Sequence, residues 1–426
     1  MAAEAHHGMQ DESDDTRSWA GDFDPLGAPD ERRVLFAALD SFRQYRRTAH
    51  ANTTHRRRQA FYALPLSHAQ ILTEPPFSIM DNLNRVDDAI DMNADIADAI
   101  LTTGLSSFCL PAHPSPDDSR LNWHGVATAS DVNKAHSTIR QFYRDWSAEG
   151  KAERDACYTP VLRDLHREFR EGQNPSENVR VLVPGAGLGR LVFDLCRAGF
   201  AAEGNEISYH QLLASNWVLN HTLGEERHML YPFALHFSNL ESRRQQLRTV
   251  AIPDVHPGAA VLEAQRNPGT PFGTMSMSAA DFVVLYSNPS QKDAFDAVAT
   301  VFFIDTAPNI IRYVEAIRNC LKPNGIWINV GPLLWHFEDD HQRTQSAAPE
   351  NEKNLGIGEP GNVELTQEEV IKLITRLGFK LESSQPIKER AEIGYIQDPD
   401  SMLRSLYRPA HWVARKTSQS SQSLQS

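Results

Sequence analysis

The hydrophobic positions change rhythm once along this chain. Between Glu31 and about Leu110, Val34, Leu35, Leu39, Phe42 and Tyr45 recur near helical spacing, and Ile90, Ile96 and Ile100 repeat among acidic residues over Asp88 to Leu101. Two further helices are predicted, from about Ser130 to Trp146 and from about Ala152 to Phe169. At Asn178 the pattern turns into short β-branched runs. Val179 to Val183 reads as a strand, followed by a glycine turn, a helix to Arg197 and a strand over Phe200 to Glu206. The alternation continues with strands over Asp296 to Asp305, Gly325 to Val330 and Phe379 to Ser383, and helices over Ala307 to Leu321 and Thr366 to Leu377. Thr366-Gln367-Glu368-Glu369 carries a capping signal, with acid set against the helix dipole. Strands alternating with helices predict an α/β domain: a parallel sheet with helices on both faces, preceded by a helical region. Two stretches rich in Pro, Gly, Asn and charge, about Ser238 to Thr274 and Glu338 to Val363, are expected as surface loops, the second a candidate flap.

Composition sets the outer limits. Residues 1–30 hold eight acidic side chains and one basic one, Arg17, and TSQSSQSLQS from Thr417 is low in complexity; both ends are expected as disordered tails. That leaves a helical region over 31–175 and an α/β domain over 176–416. The 426 residues suit one large or two intermediate domains. With 42 Lys plus Arg against 55 Asp plus Glu, the net charge of -13 argues against a general nucleic-acid binder. Cys109, Cys157, Cys196 and Cys320 lie far apart, suggesting neither zinc knuckle nor disulfide framework and fitting a reducing cytoplasm or nucleus. No run approaches the ~18–20 apolar residues a membrane span needs. The seventeen histidines are scattered without ligand spacing, so no metal is expected. The basic cluster Arg43, Arg46, Arg47, Arg56, Arg57 and Arg58 is read as ion pairs with the acidic second helix or a solvated face, in preference to a binding role.

The sharpest chemical signal follows the first strand. In Gly185-Ala186-Gly187-Leu188-Gly189, the missing side chains let a ligand approach the main chain closely. Glu206 ends the next strand, where a carboxylate can accept hydrogen bonds from both hydroxyls of an adenosine ribose. A dinucleotide fingerprint requires Gly or Ala at the sixth position, which here is Arg190. The spacing therefore favours S-adenosylmethionine over NAD, with a ligand-free structural turn as the remaining reading. Asp281-Phe282 offers a second adenosine clamp, a carboxylate for the adenine amino group beside an aromatic for its face.

Longer strings point to one family. QFYRDW from Gln141, GKAERD from Gly150, VPGAGLGRL, GNE, FFIDTA and GIWINVGPLLWHF closely resemble the carnosine N-methyltransferase (N2227-like) family of class I S-adenosylmethionine methyltransferases, over roughly Arg32 to Lys416. The resemblance implies a class I, Rossmann-like fold and methylation of a ring nitrogen of carnosine to give anserine, with some members linked to histidine in proteins. It implies cofactor contacts from Gln141, Arg144, Gly185, Glu206, Asp281 and Phe282, with Gly187 in the same loop and Val301 near the sulfonium, and substrate contacts from Asp305 and His336. A C-terminal tyrosine of relatives aligns with Ser405, leaving Tyr407 as the substitute. A protein histidine methyltransferase and a non-catalytic cofactor-binding scaffold are the alternatives, and a homodimer is the assembly kept open.

The chemistry agrees with that placement. Asp305 and His336 each follow a predicted strand, and ligands of open α/β sheets lie beyond the strands' carboxyl ends. Methyl transfer is an in-line displacement needing the nucleophile within ~3–3.5 Å of the methyl carbon. Imidazole, with a pKa of ~6.5, is mostly neutral and nucleophilic at pH 7. A carboxylate on the other ring N–H, the role given to Asp305, fixes the tautomer and stabilises the developing charge. The plainer readings are that Asp305 caps the following helix, that His336 is a buried, backbone-bonded histidine, and that Gln141 and Arg144 make surface bonds.

Overall fold

Helix α1 (Pro29–His50) starts where a proline fits the first turn, with Asp30 and Glu31 at its positive end and Arg47 and His50 at its negative end. In this computed structural model the described residues are 25–118, 120–171, 178–267, 269–337, 356 and 361–418. Most of the expected acidic tail, most of the 417–426 tail and nearly all of the expected flap lie outside them, and the first helix begins two residues inside the tail's predicted end. A single π-helical turn (Ala51–His55) leads into α2 (Arg56–Tyr62), followed by α3 (Leu66–Thr73), the long α4 (Ile79–Ser107), α5 (Ala129–Trp146) and α6 (Lys151–Phe169). At the head of α5, Thr128 and Asp131 form a reciprocal capping box.

The ion-pair reading of the basic cluster holds where α1 crosses α4. Arg46 reaches Asp91, Asp95 and Asp98 at 2.7, 2.8 and 3.0 Å, Arg58 reaches Asp87 at 2.6 Å, and His50 lies between Asp87 and Asp91. Arg57 lies over the Phe237 ring. Beneath these pairs Leu35, Leu39, Phe42, Tyr45, Val86, Ile90 and Ile100 form one continuous core with α5.

The second half contains β1 (Arg180–Pro184), α7 (Arg190–Arg197), β2 (Ala201–Glu206), α8 (Tyr209–Asn220), β3 (His228–Leu230), α9 (Arg243–Gln246), β4 (Val250–Ile252), α10 (Pro257–Arg266), β5 (Met275–Ala279), α11 (Phe282–Tyr286), β6 (Phe295–Val301), α12 (Ile310–Cys320), β7 (Leu321–Gly331), α13 (Gln367–Arg376), β8 (Phe379–Ser384) and β9 (Ala410–Lys416). Seven strands make one sheet in the order β5-β2-β1-β6-β7-β9-β8. β9 runs antiparallel to both neighbours and the other pairings are parallel, so the sheet is mixed at one edge. The buried runs of β1, β6 and β7 are those of strands covered on both faces.

Three boundaries differ from expectation. The strand predicted to reach Asp305 stops at Val301, and the helix after it starts at Ile310 under the cap of Asn309. The stretch 238–274 is no bare loop: it supplies α9, α10 and β4, which pairs with β3. The Thr366 cap is present as drawn, closed by Glu369 in both directions.

Candidate active site

From β1 the chain runs to β2 on one side and later returns to β6 on the other, opening a crevice at the carboxyl ends of these strands. The glycine turn lies there. Gly185, Gly187 and Gly189 all have positive φ, at 66, 55 and 76°, a region open to glycine and costly for other residues. A Cβ on Gly185 would sit 2.6 Å from the Phe303 ring, and one on Gly187 3.1 Å from Nε2 of Gln141.

Glu206 ties this turn to its own strand end. Its Oε2 accepts from the N–H of Gly187, and its Oε1 from the N–H groups of Ile207 and Ser208, each at 2.9 Å. Burial pushes its carboxyl up against the pull of these three bonds. Arg190 does not cradle phosphate: its guanidinium is spent on Asp194, Asp254 and the carbonyl of Asp145, and lies against Trp146.

From α5, Gln141 and Arg144 reach the same crevice. Gln141 donates to Asp145 and accepts from Gln211, which sets its amide beside Gly187. Arg144 donates from Nε to Asp145 at 2.8 Å and carries the Tyr395 ring 4.4 Å from its Cζ. Among the described residues no hydrogen bond engages its two terminal nitrogens. With Val301, Phe302, Cys157, Tyr158 and Tyr395 it lines one small hollow.

Asp281 caps α11 through Val283 and Val284, and Gly356 packs so closely on its carboxylate that a Cβ there would overlap it. Phe282 departs from expectation. Its ring is buried against Tyr286, Phe303 and Tyr313, so it belongs to the core and offers no face to adenine. Its main-chain N–H, by contrast, has no hydrogen bond among the described residues.

Asp305 is a buried acid of the site with one oxygen left over. It is 2% exposed, Oδ2 accepts from the N–H of Leu334 at 3.0 Å, and Oδ1 is buried without a partner. Burial drives its carboxyl upward, and the Leu334 bond and the nearby His336 only partly offset this. It does not cap α12, since Asn309 does. Nor is His336 a buried histidine: its ring is exposed, and its main-chain N–H donates to the Asp305 carbonyl at 3.1 Å. The flanking Phe302 and Trp335 have φ of 52 and 50°, strained values that cluster beside Asp305 and His336.

Tyr407 stands near the site, its ring 5.8 Å from that of Phe302, whereas Ser405 is exposed and bonded to Gln397. The residue overlooked from sequence is Tyr395, 5.4 Å from Phe302 and over Arg144. Its only signal was an aromatic following a lone glycine, Gly394, because its neighbours are far away in the chain.

A family described as carnosine N-methyltransferase matches residues 121–418. The carnosine N-methyltransferase of Schizosaccharomyces pombe is 34% identical over 387 residues, which cover 91% of this chain and 96% of that protein. The carnosine N-methyltransferase of Mus musculus is 35% identical over 387 residues, covering 91% of this chain and 86% of that protein. A crystal structure of a methyltransferase from Methanosarcina mazei covers 57% of this chain and 94% of its own, at 16% identity and a TM-score of 0.32.

Proposed function

The chain belongs to the carnosine N-methyltransferase family, and from that premise we infer that it methylates an imidazole nitrogen of carnosine to give anserine, with S-adenosylmethionine as methyl donor. One observation in the site carries the reading furthest: a buried carboxylate oxygen of Asp305 with nothing bonded to it, at the strand ends beside the glycine turn. An orphan acceptor in a buried place costs free energy unless a ligand donor meets it, and an imidazole N–H is such a donor.

The residues present fit the cofactor. Three glycines in positive φ leave the main chain open, Glu206 stands ready for ribose hydroxyls, the Phe282 N–H for an adenine nitrogen, and the terminal nitrogens of Arg144 for a carboxylate. S-adenosylmethionine supplies an electrophilic methyl on a sulfonium. Everything else falls to the protein. Asp305 holds the proton of the ring nitrogen that is not attacked, which fixes the tautomer and turns the lone pair of the other nitrogen outward. As the ring gains positive charge, the same carboxylate becomes its counter-ion in a place shielded from water. Its elevated proton affinity suits it to keep that proton close as product forms. His336, fixed through its main chain to Asp305, borders the same place and offers the substrate a second polar contact.

The Arg56 to Arg58 face, on which a polypeptide substrate could dock, lends a protein histidine target no support, because Arg57 and Arg58 are already engaged with Phe237 and Asp87. Incubating the purified chain with methyl-labelled S-adenosylmethionine and carnosine tests the reading: label should appear in anserine. Transfer to protein alone, with none to carnosine, overturns it.

A further inference from the structure

Two residues of the GKAERD string, Glu153 and Arg154, also line the small hollow beside Arg144. Glu153 lies in the first turn of α6, and its carboxylate reaches across to a turn some 240 residues later. Oε2 accepts from the N–H of Ile396 at 2.7 Å and Oε1 from that of Gln397 at 2.8 Å. Arg140 closes the other side, donating to the Ile396 carbonyl at 2.7 Å. Ile396 has a φ of 52°, which a β-branched residue adopts only when its surroundings impose it. A Cβ on Gly394 would lie 2.9 Å from Oε1 of Glu153, so the turn is pressed against the acid.

Tyr395 sits between Gly394 and Ile396. Its position over Arg144 and against Phe302 is therefore set by the turn that Glu153 grips. The next residue of the string serves the facing wall: Arg154 donates from Nη1 to the carbonyls of Arg144 and Ser147, both at 2.6 Å, fixing the end of α5. Adjacent residues of one helix thus hold both sides of the hollow lined by Arg144, Val301, Phe302 and Tyr395.

We propose that Glu153 is a positioning residue for methyl transfer: it holds the 394–397 turn in its strained form and so lays Tyr395 over Arg144 and Phe302, closing the hollow against water. This rests on the reading of that hollow as part of the methyl-transfer site. Glu153 borders the hollow, but in this role its carboxylate is taken up by two main-chain N–H groups and acts through Tyr395.

The test uses the full chain with Glu153→Ala, Glu153→Gln, Tyr395→Ala and the Glu153→Ala/Tyr395→Ala double variant. Glu153→Ala should lower kcat/KM for carnosine about tenfold or more, as expected when a charged acceptor of two main-chain N–H groups is lost. Tyr395→Ala should do the same. The double variant should fall no further than the weaker single one, because both remove the same wall. Amide exchange at Ile396 and Gln397 should accelerate about tenfold in Glu153→Ala while core amides keep their protection, with Glu153→Gln between that and the parent. Losses that multiply in the double variant, or unchanged exchange at Ile396 and Gln397, overturn the proposal. A parent chain that does not methylate carnosine refutes the substrate reading instead; the exchange arm needs no substrate and still decides whether Glu153 holds the turn.

Discussion

The main-chain N–H of Leu334 meets only one oxygen of the Asp305 carboxylate, at 3.0 Å, and leaves the other buried and unbonded. Activity and stability should therefore oppose each other at this residue. Asp305→Asn should lower kcat for carnosine by roughly 100-fold or more, the scale of losing one preorganised electrostatic contact. Calorimetry should find cofactor affinity nearly unchanged. A variant that loses cofactor affinity while turning over normally would remove Asp305 from the substrate side.

The same carboxylate predicts a pH dependence of stability. Its proton affinity is raised in the fold by burial, so its contribution is most favourable below the unfolded-state pKa and is lost as pH rises through the folded value. Asp305→Asn should therefore melt above the parent at pH 7, with the gap narrowing toward pH 4. Melting curves across that range check the sign.

Glu206 is expected to govern cofactor binding. Glu206→Ala removes the candidate ribose acceptor and also frees the N–H of Gly187, so the cofactor dissociation constant should rise roughly 10- to 100-fold, the worth of one or two hydrogen bonds to a charged group. Calorimetry with S-adenosylhomocysteine measures this without turnover.

Gly187→Ala places a Cβ at φ 55° and 3.1 Å from the Gln141 amide. Left-handed strain of about 1–2 kcal/mol should lower the melting temperature by a few degrees. Cofactor affinity should drop as well, because the new methyl narrows the approach to the turn. An unchanged affinity would place the ligand elsewhere.

His210 gives an acid-stability prediction away from the site. Buried, with Nε2 against Ser41 and the Asp131 carbonyl, it is pulled down to about 4, chiefly by loss of hydration. It is neutral in the fold while the unfolded chain protonates below pH ~6.5, so stability should decline as pH falls from 6.5 to 4, by up to roughly 3 kcal/mol. His210→Gln should flatten that decline in urea titrations.

The central sheet was legible because β1, β6 and β7 are β-branched and buried on both faces, a pattern that composition alone marks. β5 escaped notice since Met275–Ala279 is a short, part-exposed run of Met, Ser and Ala without β-branched residues, at the sheet's edge. No strand was predicted at β9, whose place is set by its antiparallel pairing with β7 and β8, far away in the chain or across a long turn. Within the site, Gly185, Gly187 and Glu206 announce themselves by spacing, since a tight turn and its acid are local. Phe282 misled because an Asp-Phe pair does not say which way the ring points; only the packing of Phe303 and Tyr313 decides that. Tyr395 was invisible for the opposite reason, being defined by contacts with Arg144 and Phe302, which lie far away in the chain.

Arg190 leaves a lesson for cofactor engineering. Redesign toward a dinucleotide would start by trimming this position to glycine, to make room for a diphosphate. Here the trim would leave Asp194 without its arginine and cut the cord from α7 to the Asp145 carbonyl and to Asp254 of the inserted segment. The residue that departs from the dinucleotide pattern is thus also one of the ties between the helical half and the sheet, so a change made for the ligand would loosen that tie as well.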